Sequence, residues 1–209
     1  MSKFIDKLKR VSQTAAQPMG FGRRQVASPT PKMLLVASLA KVDVSKLADL
    51  VAGADAGLLD ISELGGESKL LQGYADAVSD IPWGGWLKIS EWRGDKKPEL
   101  RSCDFVVFPA AQTPIGIFDN PEVGKIVEVR SSLDEGVLRT IDELPVDGVL
   151  IMVDNENSSP ITWQQLMLLQ RFTDLVAKPL LIPVPAKVTA GELRMLWESG
   201  VDGVIVEAV

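Results

Sequence analysis

The chain has 209 residues, of which 46% are hydrophobic and 24% charged; its net charge is −6, and it holds one cysteine and no histidine. A lone cysteine excludes an internal disulfide and fits a reducing, cytoplasmic setting, while the missing histidine excludes Ser-His-Asp triads, Cys-His dyads and His-ligated metals. No apolar run reaches the roughly 18–20 residues of a membrane-spanning helix, and the opening MSKFIDKLKR lacks the apolar stretch of a secretory signal, so membrane contact is not expected.

The first segment, FIDKLKRV, puts Phe4, Ile5, Leu8 and Val11 on one face and predicts an amphipathic helix. It is followed by QPMGFGRRQVASPTP, whose Pro, Gly and Ser content predicts an extended connection. Residues 1–32 carry seven basic side chains against Asp6 alone, a net +6, which leaves −12 on the remainder. An acidic body excludes nucleic acid as the main partner, since phosphate-backbone binding needs positive charge. The arm is expected to lie on that body or to contact an anionic partner.

From residue 33 onward, β-rich runs and helical patterns alternate. MLLVASLA (33–40) is the first strand; DVSKLADLVAG has apolar residues at three- and four-residue spacing and predicts a helix. GADAGLLDIS (53–62) gives the second strand, SKLLQGYADAVSD a helix, and WLKIS (86–90) the third strand. The polar EWRGDKKPELRS predicts a loop or reduced helix before SCDFVVFPA (102–110), the fourth strand. KIVEVRS (125–131), the helix SLDEGVLRTIDEL, PVDGVLIMVD (145–154), the helix WQQLMLLQRFTDLVA, PLLIPVP (179–185), the helix AGELRMLWESG and GVDGVIVEAV (200–209) complete the series.

Every second strand is introduced by an aspartate: Asp55, Asp104, Asp147 and Asp202. Alternating strands and helices with right-handed crossovers make a parallel sheet, and eight such strands predict closure into a (β/α)8 barrel over residues 32–209, with residues 1–31 as a basic helix and linker. An open doubly wound sheet is the alternative. Closure explains why the sequence finishes on an apolar strand, because the eighth strand pairs with the first. The helix after the eighth strand is missing. The N-terminal helix is expected near the gap between the last and first strands, unless a second subunit fills it as a homodimer. The four aspartates lie before strands, at the barrel's N-terminal face, where residues serve stability. They are expected to be turn and capping residues, and Cys103 beside Asp104 is not expected to be a nucleophile.

Side chains alternate along a strand, and the helix-facing set should be apolar. That rule turns Glu128 and Arg130 inward on the fifth strand, Trp86, Lys88 and Ser90 on the third, and Asp60 and Ser62 on the second. Asp154 turns inward on the sixth strand, Glu207 on the eighth and Ser38 on the first. Most lie at strand C-terminal ends, where barrels of this kind gather their chemistry. Buried charges must be paired, so these groups predict either a small-molecule site or a structural polar network. In a site, Lys88 is a general acid or Schiff-base amine, and Glu128 or Asp60 is the base. Arg130 clamps a carboxylate or phosphate through its planar fork, and Asn155 hydrogen-bonds a hydroxyl. No cofactor and no resident metal are expected; Mg²⁺ held by Asp60, Glu128, Asp154 and Glu207 is the minor alternative.

The stretch KIVEVRSSLDEGVLRTIDELPVDGVLIMVDN (125–155) resembles the phosphate-binding (β/α)8 barrels of tryptophan and histidine biosynthesis, and indole-3-glycerol phosphate synthase in particular. The positions that carry the resemblance are Glu128, Val129, Asp147 and Asn155, with Lys88 in WLKIS matching the family's third-strand lysine. The resemblance implies a barrel and suggests Lys88, Glu128 and Asn155 as mouth residues. The chain departs from the family where phosphate is bound. Its seventh strand runs into PVPAKVTAG and its eighth ends at Glu207-Ala208-Val209, so the phosphate loops are absent.

The functional expectation is a metal-independent lyase or isomerase acting on a small polar carboxylated metabolite, with catalytic Lys88, Glu128 and Asp60 and substrate-binding Arg130, Asp154, Asn155, Glu207, Ser38 and Ser62. The alternative is a catalytically inactive barrel that serves as a binding or assembly module through its N-terminal arm.

Overall fold

The computed structural model describes residues 2–15, 33–39, 44–61, 67–87, 100–117, 120–153 and 160–208. Eight parallel strands close into a barrel in sequence order: β1 (Leu34–Leu39), β2 (Ala56–Asp60), β3 (Trp83–Trp86), β4 (Phe105–Pro109), β5 (Gly124–Arg130), β6 (Gly148–Met152), β7 (Leu180–Val184) and β8 (Gly203–Ala208). The ring is completed by β1 pairing with β8, Val36 opposite Ile205 and Ser38 opposite Glu207. The open-sheet alternative is thereby excluded. Preceding the barrel is α1 (Lys3–Ala15); the outer helices are α2 (Val44–Leu50), α3 (Glu67–Ala77), α4 (Glu135–Thr140), α5 (Trp163–Leu175) and α6 (Ala190–Glu198). No described helix is long and apolar enough to cross a membrane.

The third strand starts earlier than WLKIS suggests. β3 spans Trp83–Trp86 and pairs Gly84, Gly85 and Trp86 with Phe105, Val106 and Val107. Gly84 allows this register: a Cβ there would stand 2.4 Å from the Phe105 ring. Leu87, the last described residue of this run, donates its N–H to the Val107 carbonyl. Of the segment between β3 and β4, the described residues include a 3₁₀ turn, Leu100–Ser102.

Two apolar cores follow from the alternation of side chains. Outside the ring, Leu59, Val106, Val127, Ile151, Ile182 and Val204 pack against the helices. Inside it, Val36, Leu58, Trp86, Val107, Ile126, Leu150, Leu181 and Ile205 fill the barrel. On the even strands the interior positions form three levels. The floor has Ala56, Phe105, Gly148 and Gly203; the middle has Leu58, Val107, Leu150 and Ile205; the rim has Asp60, Pro109, Met152 and Glu207.

The floor level is mostly small because α1 fills it. Phe4, Ile5, Leu8 and Val11 are all buried in the interior core. The Phe4 and Phe105 rings stack with centroids 4.4 Å apart. Gly124 on β5 is required by the same helix, since a Cβ there would come within 2.4 Å of Ile5. The expectation that α1 lies near the β8–β1 gap is therefore corrected: the helix crosses the N-terminal end of the ring, where its apolar stripe meets every side of the interior core. The extended connection expected after it lies outside the described residues.

The four repeated aspartates fasten this plug. Asp104 caps the start of α1, accepting from the Ser2 hydroxyl at 2.7 Å and from the Lys3 and Phe4 N–H groups at 2.8 and 2.9 Å. Lys7 lies 3.9 Å from Asp55 and Lys9 is 2.8 Å from Asp147, while Ser12 hydrogen-bonds to Asp202. Three of these carboxylates also accept a strand N–H: Leu35 to Asp55, Lys125 to Asp147 and Leu180 to Asp202. They are thus capping residues of the N-terminal face, as their position before each even strand implies. Cys103 is on this face too. Burial, then the neighbouring Asp104 charge, pushes its thiol up to about 12, so the nucleophilic thiolate does not form near neutral pH.

Leu8 is fully buried, with its side chain set against Gly148 of β6. Leu8→Ala is expected to lower unfolding free energy by about 3 kcal/mol, the usual cost of such a cavity, measured by denaturant titration. Asp202 gives a pH signature. Burial raises its carboxyl to about 6, against the opposing bonds from Leu180 and Ser12. A raised acid costs the fold stability once ionised, fully above pH 6 and not at all below the ordinary value of 3.8. Asp202→Asn keeps an acceptor for Leu180 and removes the charge. Its stability relative to the parent protein should rise by about 2 kcal/mol between pH 4 and pH 7; a constant difference would contradict the assignment.

Candidate active site

At the opposite end of the ring, the C-terminal ends of the strands carry the polar interior positions. Asp60 closes β2 and lies beside Trp86 in the ladder. Glu128 sits within β5, between Pro109 of β4 and Leu150 of β6. Arg130 ends β5 opposite Met152. Ser38 on β1 and Glu207 on β8 face one another across the ring's closure. Each shares the parity of a residue in the interior core: Leu58 with Asp60, Ile126 with Glu128 and Arg130, Val36 with Ser38, Ile205 with Glu207. Four strands thus bring these five groups to one mouth. Of the other candidates, Lys88, Ser62, Asp154 and Asn155 lie outside the described residues, as does Ser90.

Exposure grades these groups by depth. Asp60, Glu128 and Ser38 are half-buried, whereas Arg130 and Glu207 are exposed. Beneath them the mouth is floored by Trp86, Val107 and Leu150, all buried. Glu128 is the most firmly placed of the carboxylates. Its backbone carbonyl accepts from the Ala110 N–H at 3.0 Å, and its Oε2 accepts from the Trp86 indole N–H at 2.8 Å. No ion pair joins Glu128, Arg130 and Glu207 to one another among the described residues.

Nor do three carboxylates converge as a metal-binding cluster among the described residues. The Mg²⁺ alternative thus lacks its ligand set in Asp60, Glu128 and Glu207; its fourth member, Asp154, is not described. Three of the helix N-termini near this face carry side-chain caps. Asp134 caps α4, while capping boxes Thr162–Gln165 and Thr189–Glu192 close α5 and α6. Glu192 is engaged by Thr189 and by the Ile161 N–H, and these bonds hold its carboxyl below the usual range. Each cap takes one of the free amides at its helix start, and PVPAKVTAG departs from the phosphate-binding pattern.

Sequence reasoning turned Trp86 inward without giving it a role. Its indole N–H is a single donor that must find an acceptor once buried. A tryptophan with the parity of the acidic positions was therefore the available signal for the Trp86–Glu128 bond.

No protein-family model matches the sequence, and no curated protein does. Solved structures do resemble the fold. Three are tryptophan synthase alpha-subunits from the hyperthermophile Pyrococcus furiosus, two of them single-residue mutants and the third a structure paired with calorimetry. They are 14, 13 and 13% identical to this chain and superpose with TM-scores of 0.61, 0.67 and 0.65; each match covers 84% of this chain and 87% of the other. At that identity the likeness establishes the (β/α)8 barrel; it does not single out indole-3-glycerol phosphate synthase.

Proposed function

We propose that the protein is a small-molecule-binding barrel that works as a metal-independent lyase or isomerase on a small polar carboxylated metabolite. The observation that carries this reading is the half-buried Glu128 carboxylate, fixed by an indole on rigid strands and left without an ion-pair partner among the described residues. A carboxylate held this way above an apolar floor is placed to take a proton from a substrate. Asp60 supplies a second carboxylate across the mouth for the opposite transfer or for a developing positive charge. Arg130, exposed at the rim, offers a planar fork to a substrate carboxylate. Lys88 is assigned as the general acid or amine nucleophile, the role suggested by the resemblance to indole-3-glycerol phosphate synthase. Asp154, Asn155, Glu207, Ser38 and Ser62 complete the proposed binding groups.

The competing reading is an inactive assembly module acting through its basic N-terminal arm. Phe4, Ile5, Leu8 and Val11 of that arm are buried in the chain's own barrel, so such a contact would fall to its charged side chains.

The test is to incubate the protein with fractionated cell metabolites in the presence of a chelator and to follow masses for a substrate that disappears as a product appears. Glu128→Gln should lower kcat by about a hundredfold or more. Arg130→Gln should raise KM by about tenfold through loss of a charge-assisted pair, worth roughly 1.5–3 kcal/mol. Turnover that survives Glu128→Gln, or that disappears with the chelator, would count against the reading.

A further inference from the structure

We propose that Trp86 is a positioning residue for Glu128, its indole N–H fixing one carboxylate oxygen so that the other is presented to the barrel mouth. The inference rests on the reading of Glu128 as the base. It names the interaction that makes that base competent.

The two residues are not on neighbouring strands. Trp86 ends β3, Glu128 is on β5, and β4 runs between them, with Val107 beside Trp86 in the ladder and Pro109 beside Glu128. Only a long, rigid side chain lying across the interior can bridge that gap. The indole does so at 2.8 Å from Nε1 to Oε2.

Both ends of the bridge are held by the sheet. The Trp86 carbonyl accepts from the Ile61 N–H at 2.9 Å, and the Glu128 carbonyl accepts from Ala110. Trp86 is 5% exposed and packed in the interior core, so its ring has little room to move. Glu128 is half-buried, and a flexible glutamate there would otherwise sample several rotamers. The intervening position offers no rival donor, because proline at 109 has no N–H. A side-chain donor borne on a rigid strand is the usual means of keeping a reacting group within the narrow geometric tolerance that catalysis needs.

A tryptophan placed only to fill the core would keep its value as a ring. Trp86→Phe retains most of the apolar surface and deletes the N–H, so it separates the two roles. The first measurement needs no substrate. The full chain is treated with a water-soluble carbodiimide and methylamine, and coupling at Glu128 is compared by mass spectrometry with coupling at the exposed Glu207 as an internal standard. Releasing the carboxylate in Trp86→Phe should change the Glu128-to-Glu207 ratio at least about threefold; an unchanged ratio overturns the proposal. Should Trp86→Phe fail to fold, Glu128→Ala, which removes the acceptor, is read instead through the Trp86 indole N–H in a proton–nitrogen spectrum. That resonance should move, and its hydrogen exchange should quicken about tenfold or more. A resonance that stays in place overturns the proposal.

The second measurement uses whatever substrate the metabolite screen yields. Trp86→Phe should lower kcat by about ten- to a hundredfold, the cost of misplacing a reacting group, with KM unchanged within about twofold. A full kcat, or a change confined to KM, overturns it. If the parent protein turns nothing over, the proposed reaction fails while the labelling ratio still decides whether Trp86 fixes Glu128.

Discussion

The structure depends on four carboxylates that hold one helix across the end of a closed ring of strands. Each belongs to the turn before an even-numbered strand, and each reaches α1: Asp104 at its first amides, Asp55 and Asp147 through lysines, Asp202 through Ser12. Three of them simultaneously accept a backbone N–H of the neighbouring odd strand. The same group therefore sets the start of the sheet and the seat of the plug. The exposed lysine pairs contribute little alone. The acceptors at Asp104 and Asp202 matter more, because a helix start or a strand N–H left without a partner away from water costs the full penalty of desolvation.

With one end sealed by apolar side chains, the polar interior positions fall at the other end. The interior is packed from α1 up through Leu58, Val107, Leu150 and Ile205, and polarity begins one level above them. Asp60 and Glu207 stand at that level on even strands, with Pro109 and Met152 completing it. A fold that buries its apolar groups this thoroughly keeps its carboxylates at the mouth, with Asp60 and Glu128 half-buried and Glu207 exposed. The Trp86 ring belongs to both regions. It contributes area to the core and a hydrogen-bond donor to the rim.

The sequence carried a good deal of this in its periodicities. The spacing of eight apolar runs separated by helical patterns led to the barrel, and the parity of Val127 and Val129 turned Glu128 inward. The even-strand aspartates were legible as N-terminal-face residues because each precedes an apolar run. What they bind was not legible, since a contact such as Ser2 with Asp104 spans 102 positions with no local pattern. The seat of α1 was missed for the same reason: an amphipathic stripe declares that it will be covered and not by what. The start of β3 was misplaced at Trp86, whereas the strand takes in Gly84 and Gly85, the first of them required by the Phe105 ring. The Trp86–Glu128 bond was hidden by the strand between its partners, which no pairwise reading of adjacent runs brings together.

The plug has a bearing on how the molecule is assembled in time. Its helix is synthesised before every strand of the ring, but its seat is made by turns that precede β2, β4, β6 and β8, the last of them at Asp202. Until that turn emerges, Phe4, Ile5, Leu8 and Val11 have no complete seat and stay open to any apolar surface nearby. Contacts this remote in sequence slow the search for the native arrangement. The helix must therefore wait for the final turn of the barrel, and its greasy stripe is the part of a nascent copy that most needs a chaperone's shelter.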